Sequence, residues 1–395
     1  MLYWIWLATR QGLSQRTKYE LPGHFDTLEE LYRAADYGHI PGITEKGHGS
    51  LADKSLEEAR DILQKCRQKG IRLLTCHDPA YPNRLRGIQA PPVLLYYLGQ
   101  LPSWEQQPVI GGVGTRNATD YGIGVARQLG YELTAGGGCL VSGMAKGIDG
   151  ALLSGAMKAK GNPVIILAGG VDVISPRENK HLYEYVGERG CILSEYPPET
   201  QHLSWHFRER NRLISGVSDG VLVVEAPEKS GALITADHAQ QQGRLVFAVP
   251  GPIHQQACKG SNGLLRDGAT MVQEGWDILR NYQPLYPGKL KPVQAKMEGE
   301  NSPPPRGKSP TLEQKHKKII DKCPPRTYID VETKPAANPQ ERAILELLNQ
   351  GPRLADELIA QSGLPYAQAL STVTVLELRG CLRRLPGNLI ARIET

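Results

Sequence analysis

The stretch "VIGGVGTRNATDYG", residues 109–122, indicates the kind of fold, because an apolar run enters a glycine-rich turn that leads into a helical pattern. A strand, a tight turn and a helix start together form a site for an anion, since the free N–H groups at a helix N-terminus point toward it. The glycine spacing does not match a dinucleotide-binding turn. Asn117 replaces the third glycine of G-x-G-x-x-G, and no clear strand ending in Asp or Glu follows about 20 residues later. The turn predicts an anion site without identifying the anion.

Further apolar runs of strand length lie on both sides of this stretch, separated by segments of helix length such as "TDYGIGVARQLGYELTAGG". Continuous apolar runs joined by helices are typical of parallel strands that are buried on both faces. We therefore predict a doubly wound, mostly parallel α/β sheet within residues 56–282, with its ligand outside the carboxyl ends of the strands. The runs are "IRLLTCHD", "VLLYYLG", "VIGGV", "CLVSG", "PVIILAG", "CILSE", "DGVLVVEA" and "RLVFAVPG".

Three other segments flank the predicted sheet. Residues 1–55 combine short helical patterns with turns and predict a small helical domain. Residues 283–337 are rich in Pro and Lys and predict a linker, which is by default a solvated spacer but could add non-specific affinity for DNA. Residues 338–395 contain three short helical patterns and a hairpin-like end, which predict a winged helix-turn-helix domain.

Composition excludes several classes of protein. Of 395 residues, 40% are hydrophobic, which is ordinary for a globular protein. The seven cysteines are scattered without a CxxC pair, so we expect reduced thiols and no metal site. The opening apolar run, residues 1–8, is too short to cross a bilayer or to act as a signal sequence, and we expect a cytoplasmic protein without membrane contact.

The net charge of +5 is not spread over the predicted domains. Residues 289–337 hold 11 Lys and Arg against 6 Asp and Glu, whereas residues 338–395 hold 6 of each. Residues 1–288 are therefore neutral overall. If the sheet domain binds an anionic polymer, it must do so through a local cluster of cations.

Three loops carry glycines and hydroxyl groups at a strand-to-helix turn, where a phosphate of any origin could bind. In the first loop, Arg116 either contacts such a phosphate or acts as a structural cap, and the motif favours neither. In the first and second loops, the glycines serve either close approach of a ligand or tight turns alone. The candidate residues are Gly114, Thr115 and Arg116; Ser142, Gly143, Lys146 and Gly147; and Ser230, Gly231 and Thr235.

A fourth segment, "WHFRERNRLISG" at residues 205–216, changes the interpretation because it interleaves aromatic and basic side chains. Single-stranded nucleic acid suits such a segment, since bases stack on aromatic rings while arginines contact the backbone phosphates. The alternative is a solvated run of charge with one buried aromatic, and we expect Asn211 and Arg212 to be partly structural. The candidates are Phe207, Arg208, Arg210, Asn211 and Arg212.

Residues 57–282 also carry a longer succession of motifs, including "DPAYPNRLRGIQAPPVLLYYLG", "GTR", "VSGMAKGIDGALLSGAM", "FRERNRLISG" and "VLVVEAPEKSGALITADHA". This succession resembles the DprA (Smf) family of DNA-processing proteins. The resemblance implies an extended Rossmann fold that binds single-stranded DNA, forms a homodimer through the Rossmann domain and loads RecA recombinase onto incoming DNA during natural transformation. It implies neither an enzymatic activity nor a cofactor. The two ends of the chain resemble a SAM or helix-hairpin-helix domain and the family's winged-helix domain.

The resemblance also implies roles for particular residues. It assigns DNA contacts to Arg116, to the backbone around Ser142, Gly143 and Gly147 with Lys146 nearby, and to the segment from Phe207 to Arg212. It places the dimer surface around Leu264, Leu265 and Met271, which could instead be core residues. The chain departs from the family pattern at Leu153, where a His is customary, at Ser175, where a Tyr is common, and at Gly111 and Gly112, which replace apolar residues.

Two other functions remain open at this stage. A related Rossmann group, resembling lysine decarboxylases, hydrolyses N-glycosidic bonds of nucleotides, but "SGALITADHA" lacks that group's Gly-Gly-x-Gly-Thr loop. The winged helix could read duplex DNA, although its neutral charge favours a contact with protein.

Overall fold

The computed structural model describes residues 1–38, 40–293, 338–351, 353–379, 381–385 and 389–393. They belong to two compact units, Met1–Glu300 and Asn301–Thr395. Within these described ranges, no helix has the length and apolar character needed to cross a membrane. Residues 294–337, which form most of the predicted linker and include Cys323, lie outside the described ranges.

The first unit is built on a sheet of nine strands in the order β1-β2-β6-β5-β4-β3-β7-β8-β9. Along this order, each neighbouring pair from β6 to β9 is parallel, whereas β2 pairs antiparallel with both β1 and β6. The predicted mostly parallel α/β sheet is therefore confirmed. The strands are β1 (Arg72–Thr75), β2 (Leu94–Gly99), β3 (Val109–Val113), β4 (Cys139–Ser142), β5 (Val164–Ile166), β6 (Cys191–Ser194), β7 (Gly220–Val223), β8 (Leu245–Ala248) and β9 (Thr270–Met271).

Helices connect these strands. Two of them approach so closely that glycine is required at the contact, because a Cβ on Gly130 would lie 2.1 Å from the carbonyl oxygen of Leu152. The helices are α5 (Glu57–Gln68), α6 (Asn83–Arg86), α7 (Asp120–Ala135), α8 (Ile148–Lys158), α9 (Lys180–Arg189), α10 (Ser204–Val217), α11 (Gly231–Gln241), α12 (Lys259–Arg266) and α13 (Gly275–Leu279).

The order of the strands reverses at β3. Strand β4 lies on one side of β3 and strand β7 on the other, so the loops that leave β3 and β7 diverge and open a crevice between them. Ligands of doubly wound sheets bind at this switch point. The opening stretch, residues 109–122, supplies one of the two diverging loops.

Four N-terminal helices pack onto the sheet unit and share its core, which is continuous from Ile5 to Leu290. They are α1 (Leu2–Thr9), α2 (Gln15–Glu20), α3 (Leu28–Arg33) and α4 (Glu45–Ala52). A domain boundary after residue 55 stays a prediction. Residues 283–293, expected to start the linker, instead pack on this unit because the side chains of Tyr286 and Leu290 are buried in its core.

The second unit has its own small core, which includes Ile344, Leu358, Leu376 and Ile390. Three helices, α14 (Pro339–Leu347), α15 (Ala355–Gln361) and α16 (Tyr366–Leu378), precede a hairpin of β11 (Leu382–Leu385) and β12 (Leu389–Arg392). A short strand, β10 (Arg353–Leu354), pairs with β12. This arrangement confirms the predicted winged helix.

Candidate nucleic-acid interface

A crevice of about 1340 Å³ lies at the switch point of the sheet. Its walls are the loop after β3, one face of α10, the loop after β7 with the start of α11, and α12. The lining includes Gly114, Thr115, Arg116, Phe207, Arg208, Arg210, Asn211, Ser230, Gly231, Thr235 and Leu264. Most of the candidate binding residues are therefore brought together in one place.

The pair formed by Arg116 and Phe207 is the main feature of this crevice. The guanidinium carbon of Arg116 lies 4.7 Å from the centroid of the Phe207 ring, which is the geometry of a cation–π contact. Arg116 is exposed and Phe207 is half-buried. Arg116 forms no salt bridge with any residue that the structure describes. Its donors remain available to an anion while the ring fixes the side chain.

The turn that carries Arg116 is held from both sides. The N–H of Thr115 donates to the carbonyl oxygen of Glu225 at 2.7 Å, and its own carbonyl accepts from the N–H of Ile148 at 3.2 Å. Gly147 has a φ of +76°, and a Cβ there would lie 2.4 Å from the carbonyl oxygen of Thr115. Gly147 thus serves the close contact of two loops, and Thr115 is buried.

The side chain of Glu225 also helps to hold this turn, although the sequence analysis does not identify Glu225 as a functional residue. It is fully buried and accepts hydrogen bonds from the N–H of Thr119 at 2.9 Å and from its hydroxyl at 2.6 Å. Thr119 in turn caps α7 by accepting from the N–H of Gly122. Glu225 therefore joins the end of β7 to the start of α7, and a single acid after an apolar run gives no signal of this role.

The loop between β4 and α8 contributes less to the crevice than expected. The hydroxyl of Ser142 is buried and donates to the carbonyl oxygen of Gly112 at 2.7 Å, and a Cβ on Gly143 would collide with the guanidinium of Arg210. Lys146 is exposed, is not part of the crevice lining and forms a salt bridge with Glu178. Ala145 of this loop reaches the lining, together with Asp149 from the first turn of α8.

Arg210 is a structural residue. It is buried, and its Nη1 donates to the carbonyl oxygens of Ile166 and, at 3.2 Å, Gly143. Burial lowers the pKa of Arg210 to about 10, although the nearby carboxyl of Asp149 opposes this shift. Burial likewise raises the pKa of Asp149, against the opposing effect of Arg210. Nη1 of Arg210 thus serves the protein interior, but the side chain also lines the crevice, so its contact with a nucleic acid stays a prediction.

The next two residues of α10 also bind protein groups. Asn211 donates to the carbonyl oxygen of Gly231 at 3.1 Å and so links α10 to the start of α11. The Nη2 of Arg212 lies 2.9 and 2.8 Å from the two carboxylate oxygens of Glu195, and both side chains are largely buried. Arg208 is therefore the arginine of this segment that is both exposed and on the crevice wall.

The loop after β7 places its polar groups differently. The hydroxyl of Ser230 accepts from the N–H of Ala232 at 3.2 Å and caps α11. Gly231 is exposed, and a Cβ there would meet open space. Thr235 is buried at the crevice wall, and its hydroxyl has no hydrogen-bond partner within the described ranges. This hydroxyl is shielded from solvent, so a contact of Thr235 with a nucleic acid stays a prediction.

The candidate dimer residues have mixed environments. Leu264 is half-buried, packs against the core and lines the crevice, and Leu265 is also half-buried. Met271 is 52% exposed, and the assignment of these residues to a dimer surface stays a prediction. Leu153 is buried in the core, so this departure from the family pattern alters packing, not the crevice wall.

An α/β sheet with a cation-bearing crevice at its switch point, followed in the chain by a winged-helix unit, is typical of a class of nucleic-acid-binding proteins. The chain belongs to the DNA recombination-mediator protein A family, whose model matches residues 72–283. A model of the DprA winged helix domain matches residues 330–388.

Known relatives span most of the chain. The protein Smf of Synechocystis is 32% identical over 410 aligned positions, which cover 98% of this chain and 97% of the relative. The DNA processing protein DprA of Bacillus subtilis is 42% identical over 55% of this chain and 73% of the relative. The crystal structure of DprA from Streptococcus pneumoniae superposes with a TM-score of 0.62 at 31% identity, covering 71% of this chain and 97% of that chain.

Proposed function

We propose that the crevice binds single-stranded DNA without strong preference for sequence. The observation that carries this proposal is the Arg116 guanidinium held over the Phe207 ring, exposed and without a salt bridge in the described parts of the chain. An arginine plane can stack on an unpaired base and can also bind a phosphate, whereas a duplex hides the faces of its bases. Membership of a family of recombination mediators supports the same proposal.

Five cationic side chains line the crevice besides the buried Arg210, and they are Arg116, Arg208, Lys229, Lys259 and Arg266. Lys146 and Arg212 are paired with carboxylates and do not line the crevice, so Arg116 and Arg208 are the exposed cations among the candidate residues. Each phosphate neutralised on a single strand contributes about −0.7 to the slope of log K against log salt concentration. The proposed site therefore has a moderate salt slope, set by the few phosphates that these side chains reach.

Within this proposal, the chain acts as a homodimer in the cytoplasm and delivers the bound strand to a RecA recombinase. The family to which it belongs, named for recombination mediation, supports this role. We propose binding without hydrolysis, because the buried carboxylates nearest the turn, Glu225 and Asp149, accept hydrogen bonds from the protein itself. Incubation with nucleoside monophosphates is expected to release no free base, and turnover would contradict binding alone.

The central test measures binding of an oligothymidine and of a duplex of equal length across a salt series. Replacing Arg116 with Ala removes a charge-assisted contact and is expected to weaken oligothymidine binding by about 1.5–3 kcal/mol, with a shallower salt slope. Lys146→Ala is the matched control, because it removes an exposed cation outside the crevice. Equal losses in the two variants, or none with Arg116→Ala, would refute the assignment of the crevice.

A further inference from the structure

Trp205 lies beside the crevice and has an unusual exposure for its size. Of the five tryptophans, all of which the structure describes, Trp6 and Trp104 are buried, Trp4 and Trp276 are half-buried, and Trp205 is 53% exposed. A large aromatic side chain that remains in water forgoes the free energy of burial. Such exposure is typical of a surface that a partner covers.

The ring of Trp205 is supported from behind by other rings. It makes an edge contact with the His206 ring at a centroid distance of 4.0 Å, and the His206 ring stacks on Tyr196 at the same distance. His206 is buried, and its Nδ1 lies 3.1 Å from the carbonyl oxygen of Ala168. Trp205 thus contacts a ring that is itself buried and held in place, which lowers the side-chain entropy that binding costs.

The surroundings of Trp205 connect it to the crevice. Ser204 and Arg208, which precede it and follow it on α10, both line the crevice. Arg208 is one helical turn from Trp205, and residues three apart on a helix are neighbours on its surface. Glu209 is the nearest acid on this helix, but its carboxylate accepts the Tyr196 hydroxyl at 3.0 Å. An exposed ring beside an exposed arginine matches the alternation of base and phosphate along a single strand.

We propose that Trp205 is a second stacking platform for single-stranded DNA, which takes a base of the strand where it leaves the crevice. This inference rests on the proposed function of the crevice and extends the site along α10. Arg208 would contact the phosphate between the base at Trp205 and the nucleotides held near Arg116. A DNA strand that is too short to reach from Arg116 to Trp205 would gain no affinity from Trp205.

The test compares oligothymidines from about 4 to about 16 nucleotides, the range of site sizes of known single-strand-binding modules. Trp205→Ala is expected to lower affinity for the longest strands about 5- to 150-fold, the range that corresponds to ~1–3 kcal/mol for one stacked base. The shortest strands are expected to bind this variant and the parent equally. Trp205→Phe, which retains a π face, is expected to recover most of the loss.

The control is Leu203→Ala, because Leu203 is 46% exposed at the start of the same helix but offers no π face to a base. Binding of long strands is also expected to quench the parent's tryptophan fluorescence, and the Trp205→Phe variant is expected to lose this change. If Trp205→Ala binds long strands as the parent does while Arg116→Ala does not, the inference is wrong and the crevice assignment stands. Trp205 would then face a protein partner. If Arg116→Ala also binds normally, the proposed function itself fails.

Discussion

At the scale of single residues, Arg208 and Arg210 show how two similar side chains acquire opposite roles. They lie two positions apart on α10, which corresponds to roughly 200° around a helix, so they point to opposite sides. Both line the crevice, but Arg208 is exposed there, whereas Arg210 is buried and donates to the carbonyl oxygen of Gly143. The sequence places both in one basic segment. It does not show which side of the helix is covered until the packing of the sheet is known.

This difference predicts separate effects of two substitutions. Arg208→Ala is expected to weaken oligothymidine binding while changing the free energy of unfolding by no more than about 0.5 kcal/mol, as is usual at the surface. Arg210→Ala is expected to lower the free energy of unfolding by roughly 2–5 kcal/mol, because it leaves buried carbonyls unpaired and the Asp149 carboxyl without a nearby cation. Urea denaturation and oligothymidine titration of both variants measure the two effects. Similar losses of stability would contradict the structural role of Arg210.

At the scale of elements, the loop after β3 and the loop before α8 are joined through Gly147. The sequence predicts that the backbone of Gly147 leaves room for a ligand. In the structure, however, a side chain at this position would collide with the carbonyl oxygen of Thr115, so the room is taken by protein. Gly147 thus brings two protein backbones together, whereas a Cβ on Gly114 would collide with the side chain of Ile148. Glycine-rich turns for ligands and for packing look alike in sequence, because both require the absence of a Cβ.

Substitutions at Gly147 and Gly231, which lie in two different strand-to-helix turns, are therefore expected to have different effects. Gly147→Ala is expected to be destabilising and to weaken oligothymidine binding, because φ is +76° and the new methyl group would displace the turn that carries Arg116. Gly231→Ala is expected to fold normally, since its Cβ enters open space at the first position of α11. Thermal unfolding and oligothymidine binding check both variants. A stable Gly147→Ala protein with parental affinity would show that the turn adapts freely.

At the scale of the whole molecule, the sheet was predictable because strands buried on both faces are continuous apolar runs. "VIGGV" and "PVIILAG" are examples, and β3 and β5 lie within them. The packing of residues 283–293 was not predictable, because prolines and lysines around Tyr286 and Leu290 hide the two side chains that enter the core. The buried Glu225 was missed for a related reason, since burial of a lone acid depends on partners far away in the sequence.

The division of the chain into two units predicts which unit binds single-stranded DNA. A chain ending at Glu300 keeps the whole crevice and the core from Ile5 to Leu290. It is expected to bind oligothymidine as the full chain does at about 0.2 M salt, where the positive charge of residues 301–337 contributes little because it is screened. Fluorescence anisotropy with labelled oligothymidine and with duplex compares the two proteins.

Loss of oligothymidine binding would contradict the crevice as the primary site, whereas loss of a tight duplex-specific affinity would assign duplex reading to the winged helix. We expect neither loss, because residues 338–395 carry six basic and six acidic side chains and offer little charge to a duplex.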